Sequence, residues 1–192
     1  KVWLIMSDKH ISSQFDTELN SISTHVLEMG GLVEAQLHQA IYALVHLSLE
    51  TAEQVLEKEA VINQMEMSID HEIISTIGRR QPTARDLRFL MAISRTTQNL
   101  ERAGDEIARI ARMVKSIIQN GTPRNLPSSE LRVASDLAAA LLRKTLDSFA
   151  RLDTTMAVAI IKQDNEIDDE YNGFLRKLIT YMMEDPRTIS PS

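Results

Sequence analysis

The chain has 192 residues, 43% hydrophobic and only 4% aromatic, with 9 methionines, 6 glycines and 5 prolines. That length suits one large domain or two small ones, and the scarcity of Gly and Pro favours helices over a turn-rich β-sandwich or barrel. A formal net charge of −6 argues against a dedicated nucleic-acid binder, and the absence of cysteine removes disulfides and thiolate metal sites.

Cysteine-free composition fits a cytoplasmic protein. No apolar run approaches the roughly 18 residues of a membrane span. The opening "KVWLIM" is too short for the apolar region of a signal peptide, and Met6 is a candidate natural start.

The first helix is expected over residues 15–47. Its apolar residues recur every three or four positions: Leu19, Ile22, Val26, Met29, Val33, Leu37, Ile41 and Leu44. "SLET" then reads as a break with capping residues. A second helix follows over about 52–77, with Val55, Leu56, Ile62, Met65, Ile69 and Ile73 inward. "GRRQPTARD" stops it: Gly78 suits a helix C-terminus, and Pro82 can open the next helix. The third helix is expected over about 84–118. "QNGTPRNLPSS" (119–129) is the clearest linker. A fourth helix over about 130–150 and a fifth over about 154–183 complete the pattern, and "EDPRTISPS" ends the chain.

The two halves repeat. When "LSLETAEQVLEKEAVIN" is laid on "LDTTMAVAIIKQDNEID", Leu47 meets Leu152, Ala52 meets Ala157 and Val55 meets Ile160. Ile62 meets Ile167, Glu59 meets Asp164, Asn63 meets Asp168, and Pro82 meets Pro186 with a one-residue gap. Any two amphipathic helices would match in apolar residues; matched acids, prolines and lengths are more demanding. After Pro82 the first half continues into one more long helix, whereas few residues follow Pro186. The expected organisation is an N-terminal tail (1–14), a first three-helix unit (15–120), a linker (121–129) and a two-helix second unit (130–192).

"NLERAGDEIARIA" poses a chemical question. Glu101 and Asp105 stand one helical turn apart, where like charges repel by a few tenths of a kcal/mol. Gly104 between them costs about 1 kcal/mol relative to alanine. Folding helices two and three about Pro82 puts the pair Glu59 and Asn63 at the same distance from the turn as Glu101 and Asp105. A competing pair, Glu66 and Asp70, reflects to a point roughly 10 Å away along the helix. Four oxygen-bearing side chains on neighbouring helices suit magnesium, calcium, manganese or iron(III) better than zinc or copper. An ordinary solvated face explains the same stretch through the i,i+4 pairs Asp105–Arg109 and Arg102–Glu106, and Glu66 and Asp70 then read as surface acids. No histidine stands three residues after a glutamate, so the Glu-x-x-His signature of di-iron bundles is missing. No phosphate loop, nucleophile elbow or zinc spacing occurs. Arg79, Arg80, Arg85 and Arg88 cluster at one hairpin tip, as a solvated turn or a contact for an acidic partner.

"RRQPTARDLR", "LERAGDEIARIAR" and "LITYMMEDPRTI" resemble motifs of the PhoU family of bacterial phosphate-signalling regulators, and the resemblance runs in order from about His10 onward. It implies an all-α fold, a tandem repeat of three-helix bundles, with the second bundle lacking its third helix in this chain. It implies E(D)xxxD metal motifs, with iron or magnesium/manganese as cofactor. Glu101 and Asp105 match the motif of the first repeat, and Asp164 and Asp168 match the acidic pair on the middle helix of the second. A second Glu-Arg-x-Gly-Asp, on a sixth helix, would be their partner. It further implies a non-enzymatic negative regulator of the phosphate-starvation response, an adaptor between the Pst phosphate transporter and the PhoR sensor kinase. Such a protein binds no nucleic acid, touches membranes only through its complexes, and forms a homodimer. The competing readings are a carboxylate-bridged metalloenzyme and a purely structural helical module.

The last expectation concerns Leu137, Leu141, Leu146, Ile160, Ile161, Ile167, Phe174, Leu178 and Met182, an apolar stripe on helices four and five. Without a sixth helix it must drive self-association, leave the second unit frayed, or fold back onto the first bundle.

Overall fold

The computed structural model describes residues 13–121 and 128–184. They form five helices: α1 (Ser13–His46), α2 (Leu49–Arg80), α3 (Ala84–Gln119), α4 (Ser128–Arg151) and α5 (Thr154–Glu184). No strand occurs among the described residues. Residues 1–12 of the expected N-terminal tail, most of the linker, Pro186 and the end of the chain lie outside them, as do the side chains of Leu178 and Met182, while residues 13 and 14 open α1.

Among the described residues, helices α1, α2 and α3 pack on one another, α4 packs on α1, and α5 packs on α4. The core of the first three is built from apolar residues at helical spacing, including Ile22, Val26 and Met29 of α1, Ile62 and Ile69 of α2, and Leu90 and Ile93 of α3. Each such side chain contributes about 1.5–3 kcal/mol on burial. In α1 the buried stripe departs from the expected one after Val33. Gln36, Ala40 and Ala43 are buried, whereas Leu37, Ile41 and Leu44 are half-buried. The small Ala40, Ala43 and Ala52 line this end of the bundle core, and Gln36 enters it because its Nε2 donates to the Val55 carbonyl at 3.2 Å.

The turns carry the repeat more sharply than the helices do. Leu47 and Leu152 both adopt left-handed backbone, at φ 50° and 52°, a conformation that costs an ordinary residue about 1–2 kcal/mol. Each is followed by a helix cap: the Thr51 amide donates to Ser48 Oγ at 3.2 Å, and the Met156 amide to Asp153 Oδ1 at 2.9 Å. The Ser48 and Asp153 amides reach back to the Ala43 and Ser148 carbonyls. One turn is thus built twice, in the register that aligns Leu47 with Leu152.

At the α2–α3 turn, Gly78 does not end the helix. Helix α2 continues to Arg80, and Gln81 takes the left-handed cap at φ 46°, its amide donating to the Ile77 carbonyl at 3.0 Å. Pro82 follows and fixes the stop.

Helix α4 folds back onto α1. A Cβ on Gly30 would lie 2.5 Å from Leu146 Cδ2, so the absence of a side chain there is what admits Leu146. Arg143 pairs with Glu34, Leu142 and Phe149 pack against the first core, and the Phe149 ring stacks on Phe89 at 6.4 Å. The outcome for the apolar stripe is divided. Leu141, Leu146, Ile160, Ile167 and Phe174 are half-buried, Leu137 is exposed, and Ile161 is 70% exposed.

Candidate functional site

Glu101 and Asp105 project from α3 into the groove shared with α2, and both are partly buried. The Glu101 carboxyl is held above the usual carboxylate range. Burial is the largest cause, followed by the negative charges of Asp105 and Glu66 and a hydrogen bond with Asp105, with Arg102 opposing. Burial and like charge both disfavour ionisation.

Glu66 is the residue that the reading of the sequence set aside. Its partnership with Glu101 follows from side-chain direction. Side chains on a helix lean toward its N-terminus. On α2 that direction is away from the turn, and on α3 it is toward it. A residue on α2 therefore meets one on α3 that lies farther from the turn than simple reflection places it. Glu66 accordingly reaches toward Glu101. Glu59, expected beside Asp105, instead accepts from Arg112 Nη2 at 2.5 and 2.7 Å. The short Asp70 side chain leans least and meets its mirror partner, with Ser94 Oγ donating to it at 2.9 Å.

Asn63 is half-buried, and its Oδ1 is buried without a hydrogen-bond partner. Gly104 is a close-approach position. A Cβ there would lie 3.3 Å from Gln36 Oε1 and 3.4 Å from Ile62, so the glycine lets α3 press against α1 and α2. Gln36 Oε1 is also buried and unpartnered. The sequence concealed Gln36 because a polar residue on an apolar stripe ordinarily marks the helix's wet side. Arg109 pairs with Glu106 at 2.7 Å, in place of the expected pair with Asp105. Asp164 and Asp168 are exposed on α5, which among the described residues packs on α4.

Glu101, Asp105 and Glu66, with the Asn63 amide oxygen, are hard oxygen donors of the kind magnesium, manganese or ferric iron accepts. They fit such a cation in chemistry. They are not drawn into a closed ligand set: among the described residues no three of His, Cys, Asp or Glu converge on one point.

The PhoU domain family matches residues 26–114 and 131–191 of this chain. The chain belongs to the PhoU family. A phosphate-specific transport system accessory protein PhoU homolog from Pseudomonas putida is 45% identical, over 94% of this chain and 70% of that protein. The phosphate-specific transport system accessory protein PhoU of Escherichia coli strain K12 is 43% identical, over 95% of this chain and 75% of its own length. Among solved structures, PhoU from Pseudomonas aeruginosa superposes with a TM-score of 0.85 at 42% identity, covering 92% of this chain and 84% of that one. The phosphate transport system regulatory protein PhoU from Streptococcus pneumoniae gives 0.79 at 28% identity, covering 89% and 80%. The Pseudomonas putida and Escherichia coli relatives are named as accessory proteins and the Streptococcus pneumoniae one as a regulatory protein. No helix among the described residues is long and apolar enough to cross a membrane.

Proposed function

We propose that this chain regulates phosphate uptake as an accessory of a phosphate-specific transporter. It acts as a cytoplasmic adaptor between the Pst transporter and a PhoR-type sensor kinase, and it represses the phosphate-starvation response. The observation that carries this reading is 43% identity to the Escherichia coli accessory protein along 95% of the chain. The absence of a basic surface charge balance agrees with action through proteins rather than DNA, since the net charge is −6. A homodimer is part of the reading. The test is expression in a strain deleted for its own PhoU protein and carrying a phosphate-starvation reporter. Restored repression in high phosphate, lost when the transporter is also deleted, is expected. Constitutive reporter activity despite normal protein levels would refute the regulatory role.

The metal component of the proposal rests on Glu101, Asp105 and Glu66, whose crowded charge a hard cation would offset. Calorimetric titration with manganese should show binding that is lost in Glu101→Ala/Asp105→Ala. Equal binding by both proteins removes the site.

A further inference from the structure

On the outer side of the α2–α3 pair, two ridges of different chemistry run antiparallel. Along α3, Arg88, Arg95, Arg102 and Arg109 recur every seven residues, and all four are exposed. Seven residues are nearly two turns, so the four form one row with steps of about 10 Å. Arg109 is tied to the exposed Glu106. No carboxylate pairs with Arg88 or Arg95 among the described residues.

The second ridge is apolar. Met67 and Ile74 of α2 stand seven apart and are 63% and 68% exposed, and Met91 of α3 is 46% exposed. The hydrogen bond from Ser94 to Asp70 sets the level of the two helices. Ile74 lies one turn beyond Asp70 toward the Gln81 turn, and Met91 one turn beyond Ser94 in the same direction. Ile74 and Met91 therefore flank the groove together, with Met67 about two turns farther from the Gln81 turn and the arginine row along the α3 edge. Leaving large apolar side chains together in water marks an interaction surface.

We propose that this face docks an amphipathic helix of a partner protein, with its apolar seam on Met67, Ile74 and Met91 and carboxylates along Arg88, Arg95 and Arg102. Two parallel-sided ridges with a groove between them accept a third helix by ordinary ridge-and-groove packing. A heptad row of one charge sign beside an apolar seam is the pattern by which coiled-coil helices choose a partner and its orientation. The groove itself holds Glu66, Asp70, Glu101 and Asp105, all partly buried. A helix can confine its acids to the arginine side and keep them off these four. An anionic membrane surface presses negative charge onto the whole face and meets them, so the arrangement selects a protein helix over a bilayer.

The probe is a fluorescein-labelled three-heptad synthetic peptide with leucine at the seam positions and glutamate along one flank, titrated into the full chain by anisotropy. It is expected to bind about tenfold or more tightly than the same peptide with lysine on that flank. Arg88→Glu/Arg95→Glu should reverse the preference, and Met67→Asp/Ile74→Asp should abolish binding of both peptides. Circular dichroism must show each variant as helical as the parent. Equal binding of the two peptides, no binding of the glutamate peptide, or an unchanged preference in the arginine variant overturns the proposal. So does arginine-dependent flotation on phosphatidylglycerol vesicles without peptide binding, which assigns the face to a membrane. The titration contains no transporter or kinase, so its outcome is separate from that of the phosphate reading.

Discussion

Replacing Gly30 by alanine tests the joint between α1 and α4. The added Cβ would lie 2.5 and 2.6 Å from the two Leu146 methyls and 3.1 Å from Leu146 Cγ. Because the branch carbon is also too close, turning the methyls does not clear the contact: Leu146 must withdraw or α4 must shift. Alanine favours the helix by about 1 kcal/mol, while overpacking a close contact costs about 1–3 kcal/mol. The expected net effect is a loss of about 1 kcal/mol, read by urea denaturation. Amide exchange should accelerate in α4 and stay unchanged in α2 and α3. Leu146→Ala alone should cost about 1–2 kcal/mol, since the side chain is half-buried. In that background the obstructing methyls are gone, and Gly30→Ala should stabilise by about 1 kcal/mol. The two substitutions are thus coupled by about 2 kcal/mol. Additive effects would show that α4 does not sit on α1 at this distance.

Glu101→Gln should raise stability above neutral pH by on the order of 0.5 kcal/mol. The folded-state carboxyl is raised, so the native protein binds its proton more tightly than the unfolded chain. The penalty is therefore present above the folded pKa and disappears on acidification. The stability gap between variant and parent should close as pH falls, and a gap that widens on acidification contradicts the assignment. Ser48→Ala and Asp153→Ala should each cost about 1 kcal/mol by loss of a helix cap, and thermal melts showing a cost at only one of them would deny the equivalence of the two turns.

The helices, their order and most of their core faces were legible because burial against one side imposes a period that shows in the sequence. The left-handed residues were not. Leu47, Gln81 and Leu152 carry no local mark of a positive φ, and Gly78, which does, lies inside α2. Likewise Gln36 looks solvent-facing until the Val55 carbonyl supplies its partner. The fold-back of α4 was one of three open outcomes, since the stripe shows that Leu146 must be covered but not by what. Gly30 held that information, but an isolated helix gives a glycine no neighbour to make room for.

The acid that α2 brings to Glu101 differs from the one reflection about Pro82 predicts, for a geometric reason that also limits what the repeat means. Equal distance from Pro82 is a statement about backbones, whereas carboxylates meet through side chains that lean in opposite senses on antiparallel helices. That lean brings Glu66 toward Glu101, where reflection about Pro82 places Asn63, and hands Glu59, reflected onto Asp105, to Arg112. In the alignment that matches the two left-handed turns, Glu59 and Asn63 correspond to Asp164 and Asp168, but Glu66 corresponds to Tyr171. The backbone is therefore duplicated, but the acid that matches across the repeat, Glu59 with Asp164, is not the one that faces Glu101. The middle helix of the first unit offers its α3-facing acid at Glu66, and that of the second offers acids one or two turns nearer its start, at Asp164 and Asp168. A cation site in the first unit consequently does not imply an equivalent one in the second. Glu66→Gln should weaken metal binding in the first unit, whereas Tyr171→Phe should leave binding unchanged. Equal losses in the two variants would mean that the sites follow the repeat and not the side chains.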